Sequence, residues 1–125
     1  MNKEPPLPIM YVVDDDESVR KALKRLIISA GMRAEVFASM AEFIQSDFQD
    51  KPGCLVTDIQ MLGGTGFALK SYLDDLGNTM PVIFITAHDN KETREKALMA
   101  GAAAYLPKPF DDLVFLNAIK EACKC

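Results

Sequence analysis

IMYVVDDDESVRKALKRLIISAG, residues 9–31, decides the fold. Five apolar residues, Ile9–Val13, several of them β-branched, stop abruptly at four acids, Asp14–Glu17. A run this short with no polar alternation reads as a strand buried on both faces, as in a parallel sheet. A helical period follows at once. Val19, Leu23, Leu26, Ile27 and Ala30 share one face, and Lys21, Lys24 and Arg25 occupy the other. Gly31 is placed to end that helix, because a residue without Cβ takes the left-handed conformation at low cost. The stretch is therefore one strand–helix unit with carboxylates at its joint.

The same unit recurs along the chain. Arg33–Phe37 reads as a second strand. Ser39-Met-Ala-Glu42 is a capping box that starts a short helix running to about Asp47. Asp50–Gly53 reads as a loop, and Cys54–Thr57 as a third strand ending at Asp58. Gly63, Gly64 and Gly66 make a permissive loop. Leu69, Tyr72, Leu73 and Leu76 then recur at helical spacing up to Gly77. Pro81–Thr86 is the clearest strand, residues 89–100 a highly charged helix with one weakly buried face, and Ala103–Leu106 a short fifth strand. Asp111 caps a last helix with Leu113, Leu116, Ile119 and Cys123 inward. Five strand–helix alternations predict an α/β domain with a parallel sheet covered on both faces. Residues 1–8, with three of the seven prolines, read as a flexible leader, and residues 9–125 as the domain.

Composition narrows the class. A chain of 125 residues, 49% hydrophobic and 26% charged, holds one core of ordinary domain size. The net charge of −4 offers no footprint for direct nucleic-acid or anionic-membrane contact. Three cysteines and a single histidine make neither a disulfide framework nor a zinc site. Cys123 reads as helix packing rather than half of a metal-binding pair with Cys125. The apolar run at Ile9–Val13 is too short for a secretion signal, and no run is long enough to span a bilayer. The expectation is a reduced, cytoplasmic protein.

In open α/β sheets ligands bind beyond the carboxyl ends of the strands. Those ends carry Asp14 and Asp15 (first strand), Asp58 (third), Thr86 followed by Ala87 (fourth), and Lys108 followed by Pro109 (fifth). Neighbouring carboxylates raise one another's pKa and call for a hard cation and a fixed ammonium. Mg²⁺ suits such a site, since it takes one or two carboxylates together with phosphoryl oxygens. Lys108 supplies the ammonium and Thr86 a donor. A carboxylate can attack phosphorus, and phosphoryl transfer needs chiefly positioning and charge neutralisation. Asp58 stands alone before the glycine-rich loop and is assigned as acceptor, with the Asp14–Asp15 pair as metal ligands. Taken singly, each residue has an ordinary reading: Asp14–Glu17 as acids at a helix N-terminus, Thr86 as a strand-end threonine, Lys108 as a solvated lysine. The constellation is what carries the chemistry.

With VVDDDESVR (12–20), VTDIQM (56–61), IFITA (83–87) and YLPKPF (105–110) in that order, the chain resembles the receiver domain of two-component response regulators over about residues 9–123. The resemblance implies a flavodoxin-like (βα)5 fold with strand order 2-1-3-4-5. It implies that Asp58 accepts a phosphoryl group from the phosphohistidine of a sensor histidine kinase or phosphotransfer protein. Asp14, Asp15, Asp58 and the backbone carbonyl of Gln60 would hold Mg²⁺. Thr86, the backbone of Ala87, and Lys108 would bind the phosphoryl oxygens. Thr86 and Tyr105 would act as the switch, Tyr105 otherwise being edge packing. Gln60 and His88 would modulate the dephosphorylation rate, His88 otherwise being an ordinary loop histidine. The Lys108–Pro109 bond is expected to be cis. Output would run through the face of the fourth helix, fifth strand and fifth helix, to a homodimer or to an effector domain in a longer chain. One departure stands out: the family usually has proline after the Met that follows the acceptor, and here Leu62 follows Met61. Two rivals remain at this stage. One is a haloacid-dehalogenase-like phosphatase using Asp14 and Asp16, which lacks that family's downstream acidic motif. The other is an unphosphorylated pseudo-receiver that only binds partners.

Overall fold

The computed structural model describes residues 8–50 and 52–123. Seven of the eight leader residues, Lys51 of the predicted loop, and Cys125 lie outside the described residues. The elements in chain order are β1 (Ile9–Val13), α1 (Glu17–Ser29), β2 (Arg33–Phe37), α2 (Met40–Ile44), a single 3₁₀ turn (Phe48–Asp50), β3 (Gly53–Asp58), β4 (Gln60–Met61), β5 (Gly64–Thr65), α3 (Gly66–Asp75), β6 (Val82–Thr86), α4 (Lys91–Met99), β7 (Ala104–Pro107) and α5 (Asp112–Ala122). Five strands form one parallel sheet in the order β2-β1-β3-β6-β7. With the β4–β5 hairpin set aside, this is the predicted order 2-1-3-4-5. The order reverses between β1 and β3, which opens a crevice at their carboxyl ends.

Both sheet faces are covered, and strand alternation sorts the side chains between them. Ile9, Tyr11 and Val13 of β1, Leu55 of β3 and Phe84 of β6 pack with Phe43, Leu69, Leu73 and Ala97 from α2, α3 and α4. Met10, Val12, Cys54, Val56, Ile83 and Ile85 pack with Leu23 and Ile27 of α1 and Phe115 and Ile119 of α5. This double cover is why β1 is apolar at every position and β6 at every position before its final Thr86. Gly31 ends α1 with φ +84°, as its placement predicts.

Four local expectations need correction. α2 stops at Ile44 rather than near Asp47. Phe43 and Phe48 stack in the core with ring centroids 4.4 Å apart; on a continuous helix they would diverge by about 140°, so the chain turns at Ser46 instead. Leu113 is 71% exposed, and Phe115 is the buried anchor of α5. The two lie about 160° apart around a helix, and the Phe115 ring stacks on Phe110 at 5.6 Å. Asp111 occupies the N-cap position of α5 but makes no side-chain capping bond. The glycine-rich stretch around Gly63, Gly64 and Gly66, read as loop, contributes Gly64–Thr65 to a small antiparallel hairpin with Gln60–Met61 (β4–β5).

Candidate functional site

The site is assembled from the carboxyl ends of four strands. Asp14 follows β1 and is fully buried, Asp15 beside it is exposed, and Asp58 ends β3 at 8% exposure. One carboxylate oxygen from each of the three lies within 4.8 Å of those of the others. Lys108, the residue directly after β7, reaches between them, and the Lys108–Pro109 bond that follows it is cis. Its Nζ donates to Asp14 Oδ2 at 2.8 Å and to Asp58 Oδ2 at 3.3 Å. The fifth strand thus ties the first and third across the crevice.

Backbone and side-chain donors fix each acid. Asp14 Oδ1 accepts the Asp16 amide at 2.9 Å, and the Asp14 carbonyl accepts Arg20 Nη1 at 2.8 Å. Asp58 Oδ1 accepts the Gln60 amide at 3.3 Å. Asp15 Oδ2 accepts the Leu62 amide at 3.0 Å. A proline at position 62 would have no N–H to offer, so the departure noted at Leu62 supplies a tie between β4–β5 and an acid of the cluster. Gly66 is required by close approach: a Cβ there would lie 2.7 Å from the Asp58 carbonyl oxygen.

Burial, and then the nearby Asp14 charge, push the Asp58 carboxyl above its ordinary value, against the opposing pull of Lys108 and the Gln60 amide. Burial pulls the Lys108 ammonium down, but its bond to Asp14 and the charges of Asp14 and Asp58 outweigh that and hold it above its ordinary value. Three carboxylates and one ammonium leave this pocket a net negative charge. An oxygen-liganded divalent cation fits it, since one carboxylate oxygen each of Asp14, Asp15 and Asp58 converges there and Asp15 is exposed to incoming ligands.

Thr86 ends β6 beside Asp58 and is 1% exposed, its Oγ1 accepting the His88 amide at 3.0 Å. Ala87 and His88 are exposed on the loop that follows. Gln60 meets the cluster through its backbone amide, with its side chain exposed. Tyr105 lies on β7, away from the carboxylates, and its hydroxyl donates to Asp89 Oδ1 at 2.9 Å. Arg94 holds the same carboxylate through Nε at 3.0 Å and Nη2 at 3.3 Å. Desolvation, then the bond to Asp89, raises the Tyr105 phenol.

Three sets of contacts were not assigned from the sequence. Arg20 appears in the motif VVDDDESVR but carried no assigned role. Asp16 caps α1 through the Ser18 and Val19 amides at 2.8 and 3.3 Å; an Asp immediately before Glu-Ser at a helix start was the available signal. The Asp89–Arg94–Tyr105 group had no local signal, because its members meet only in the folded chain.

Fold and site together define a doubly wound α/β domain whose strand ends gather acids, a hydroxyl and a lysine at the switch point. Residues 10–120 match the family described as response regulator receiver domain. The chain is 37% identical over 116 residues to the response regulator protein TmoT of Ectopseudomonas mendocina, covering 93% of this chain and 53% of that protein. It is 37% identical over 114 residues to the transcriptional regulatory protein FixJ of Azorhizobium caulinodans, covering 91% and 54%. Among solved structures, the response regulator StyR superposes with a TM-score of 0.88 at 38% identity, covering 95% of this chain and 60% of that one. FixJ-N does so with a TM-score of 0.85 at 34% identity, covering 94% of each. The chain belongs to the response regulator receiver domain family. It spans about half the length of the curated relatives it matches. No helix among the described residues is long and apolar enough to cross a membrane.

Proposed function

We propose that this chain is a phosphorelay receiver: Asp58 takes a phosphoryl group from the phosphohistidine of a sensor histidine kinase or phosphotransfer protein. The observation that carries this reading is the Lys108 ammonium bound to both Asp14 and Asp58, with Asp15 within ligand-sharing distance. Asp58 is oriented by the Gln60 amide and attacks phosphorus through a carboxylate oxygen, giving an aspartyl phosphate. Lys108 and the Thr86 hydroxyl, with the Ala87 amide, take the phosphoryl oxygens. Asp14, Asp15, Asp58 and the Gln60 carbonyl would hold Mg²⁺, which when bound would neutralise charge on the transferring group. Drawing the Thr86 hydroxyl toward the phosphoryl group frees the His88 amide it now accepts. The change passes along residues 86–90 to Asp89 and Tyr105, and so to the face of α4, β7 and α5. Exposed Leu98, Met99, Leu113 and Val114 make that face apolar enough to bind a second copy or an effector. Gln60 and His88, exposed at the rim, tune hydrolysis of the phosphoryl group. The domain acts in the cytoplasm as a signalling switch and not as a turnover enzyme.

The phosphatase reading, with Asp14 and Asp16 as its acids, finds no support in the geometry: Asp16 Oδ1 is committed to capping α1. Incubation with acetyl phosphate and Mg²⁺, read by intact mass, tests the proposal. One phosphoryl group should be gained by the wild type and by Asp16→Asn, and none by Asp58→Asn. Labelling that persists in Asp58→Asn rejects the assignment, and no labelling with any donor points to a partner-binding module.

A further inference from the structure

The other end of the sheet carries a second reactive group of side chains. Met10 of β1 and Cys54 of β3 are register partners on adjacent strands, so their side chains lie side by side on the face covered by α1 and α5. Cys123, at the C-cap of α5, packs onto both. Its Sγ lies 3.5 Å from the Sδ of Met10, the register partner of Cys54, so the two cysteines flank the same methionine in one cluster. Cys54 is fully buried, while Cys123 is half-buried and lines a cavity of about 220 Å³ with Pro8, Pro52, Gly53 and Pro81. Two neighbouring thiols, one buried and one reachable, make the arrangement of a reacting and a resolving cysteine.

We propose that Cys54 and Cys123 form a peroxide-sensitive dithiol that closes reversibly into a disulfide joining β3 to α5. The Cys123 thiolate attacks hydrogen peroxide, forming an S–O bond as the O–O bond breaks; it becomes the sulfenic acid and hydroxide leaves. Cys54 sulfur then attacks the Cys123 sulfur, the S–O bond breaks, and the oxygen leaves as water with the Cys54 proton. Two thiols are oxidised by two electrons and one peroxide is reduced. The neighbouring Cys54 side chain also lowers the Cys123 pKa, which favours the attacking form. The modification marks α5, which borders the proposed output face, from the end opposite the aspartate cluster.

Treating the full chain with hydrogen peroxide, followed by alkylation and non-reducing peptide mapping, tests this. The expected result is loss of two of the three thiols and two hydrogen masses per chain, with a Cys54–Cys123 cross-link that a reducing agent reverses. Cys125→Ser should retain the cross-link and Cys123→Ser should lose it. Cys54→Ala should leave a Cys123 sulfenic acid that dimedone captures. Should that variant fold poorly, the Cys125→Ser result decides alone. A Cys123–Cys125 bridge, a purely intermolecular disulfide, or three thiols surviving peroxide overturns the proposal.

Discussion

The molecule builds the same kind of polar group twice, once buried at the rim of the sheet and once exposed on α4 and β7. At the rim, Lys108 joins Asp14 and Asp58 with its side chain only 18% exposed and that of Asp14 fully buried. On the outer face, Arg94 and Tyr105 join Asp89, with 58% of the Arg94 side chain and 32% of the Asp89 side chain exposed. Contact distances are alike, but surroundings differ. Water screens the outer group and can replace its bonds at little cost. In the buried group, removing one partner strands a charge that water reaches poorly. The chain therefore holds its reacting groups in a costly, fixed arrangement and its reporting group in one that small changes can rearrange.

The sharpest way to break this contrast is Lys108→Met. It leaves Asp14 and Asp58 facing each other without a cation and should cost ~3–5 kcal/mol of stability, read as a fall in the denaturation midpoint. Added Mg²⁺ should recover part of that loss. A cost below ~1 kcal/mol would mean the rim behaves like a surface pair.

Asp58→Asn acts in the opposite direction. Burial and Asp14 raise the Asp58 carboxyl in the folded state above its unfolded value. Its charged form is therefore a liability to folding at neutral pH, and whatever stability the carboxyl contributes is present only where it is protonated. Without Mg²⁺, the Asn variant should melt higher than the wild type at neutral pH. The advantage should fade as pH falls to about 4 and below, where the unfolded carboxyl is also protonated. Melting curves across pH check this, and an advantage that grows on acidification contradicts it.

The smallest expected effect is at the outer group. Asp89→Asn should leave the denaturation midpoint essentially unchanged. It should nevertheless bring the Tyr105 phenol down toward its ordinary value, because the bond to Asp89 helps raise it. Ultraviolet titration follows that change; Tyr11 is pushed up to about 12 by burial and the charges of Glu35 and Asp47.

What was legible in the sequence follows the same division. The strand positions were readable because burial on both faces makes Ile9–Val13 and Val82–Ile85 apolar at every residue, whereas the sheet order came only as an implication of the family resemblance. The rim residues were readable because four of the five sheet strands end on, or one residue before, a chemical group. Features that depend on tertiary contact were not. The β4–β5 strands are two residues each, too short for any period. The turn after Ile44 exists to stack Phe48 on Phe43. Leu113 fits a helical stripe on paper, but the Phe110–Phe115 stack fixes a different face of α5 inward. The Asp89–Tyr105 bond joins residues from two elements with no motif between them.

The most direct test of the central claim is chemical mapping of the phosphorylated residue. After reaction with acetyl phosphate and Mg²⁺, borohydride reduces an aspartyl phosphate to homoserine, which peptide mass spectrometry places in the chain. The account predicts homoserine at position 58 and nowhere else. Homoserine at 14, 15 or 16, or a phosphoryl group that borohydride leaves intact on a hydroxyl side chain, would contradict it.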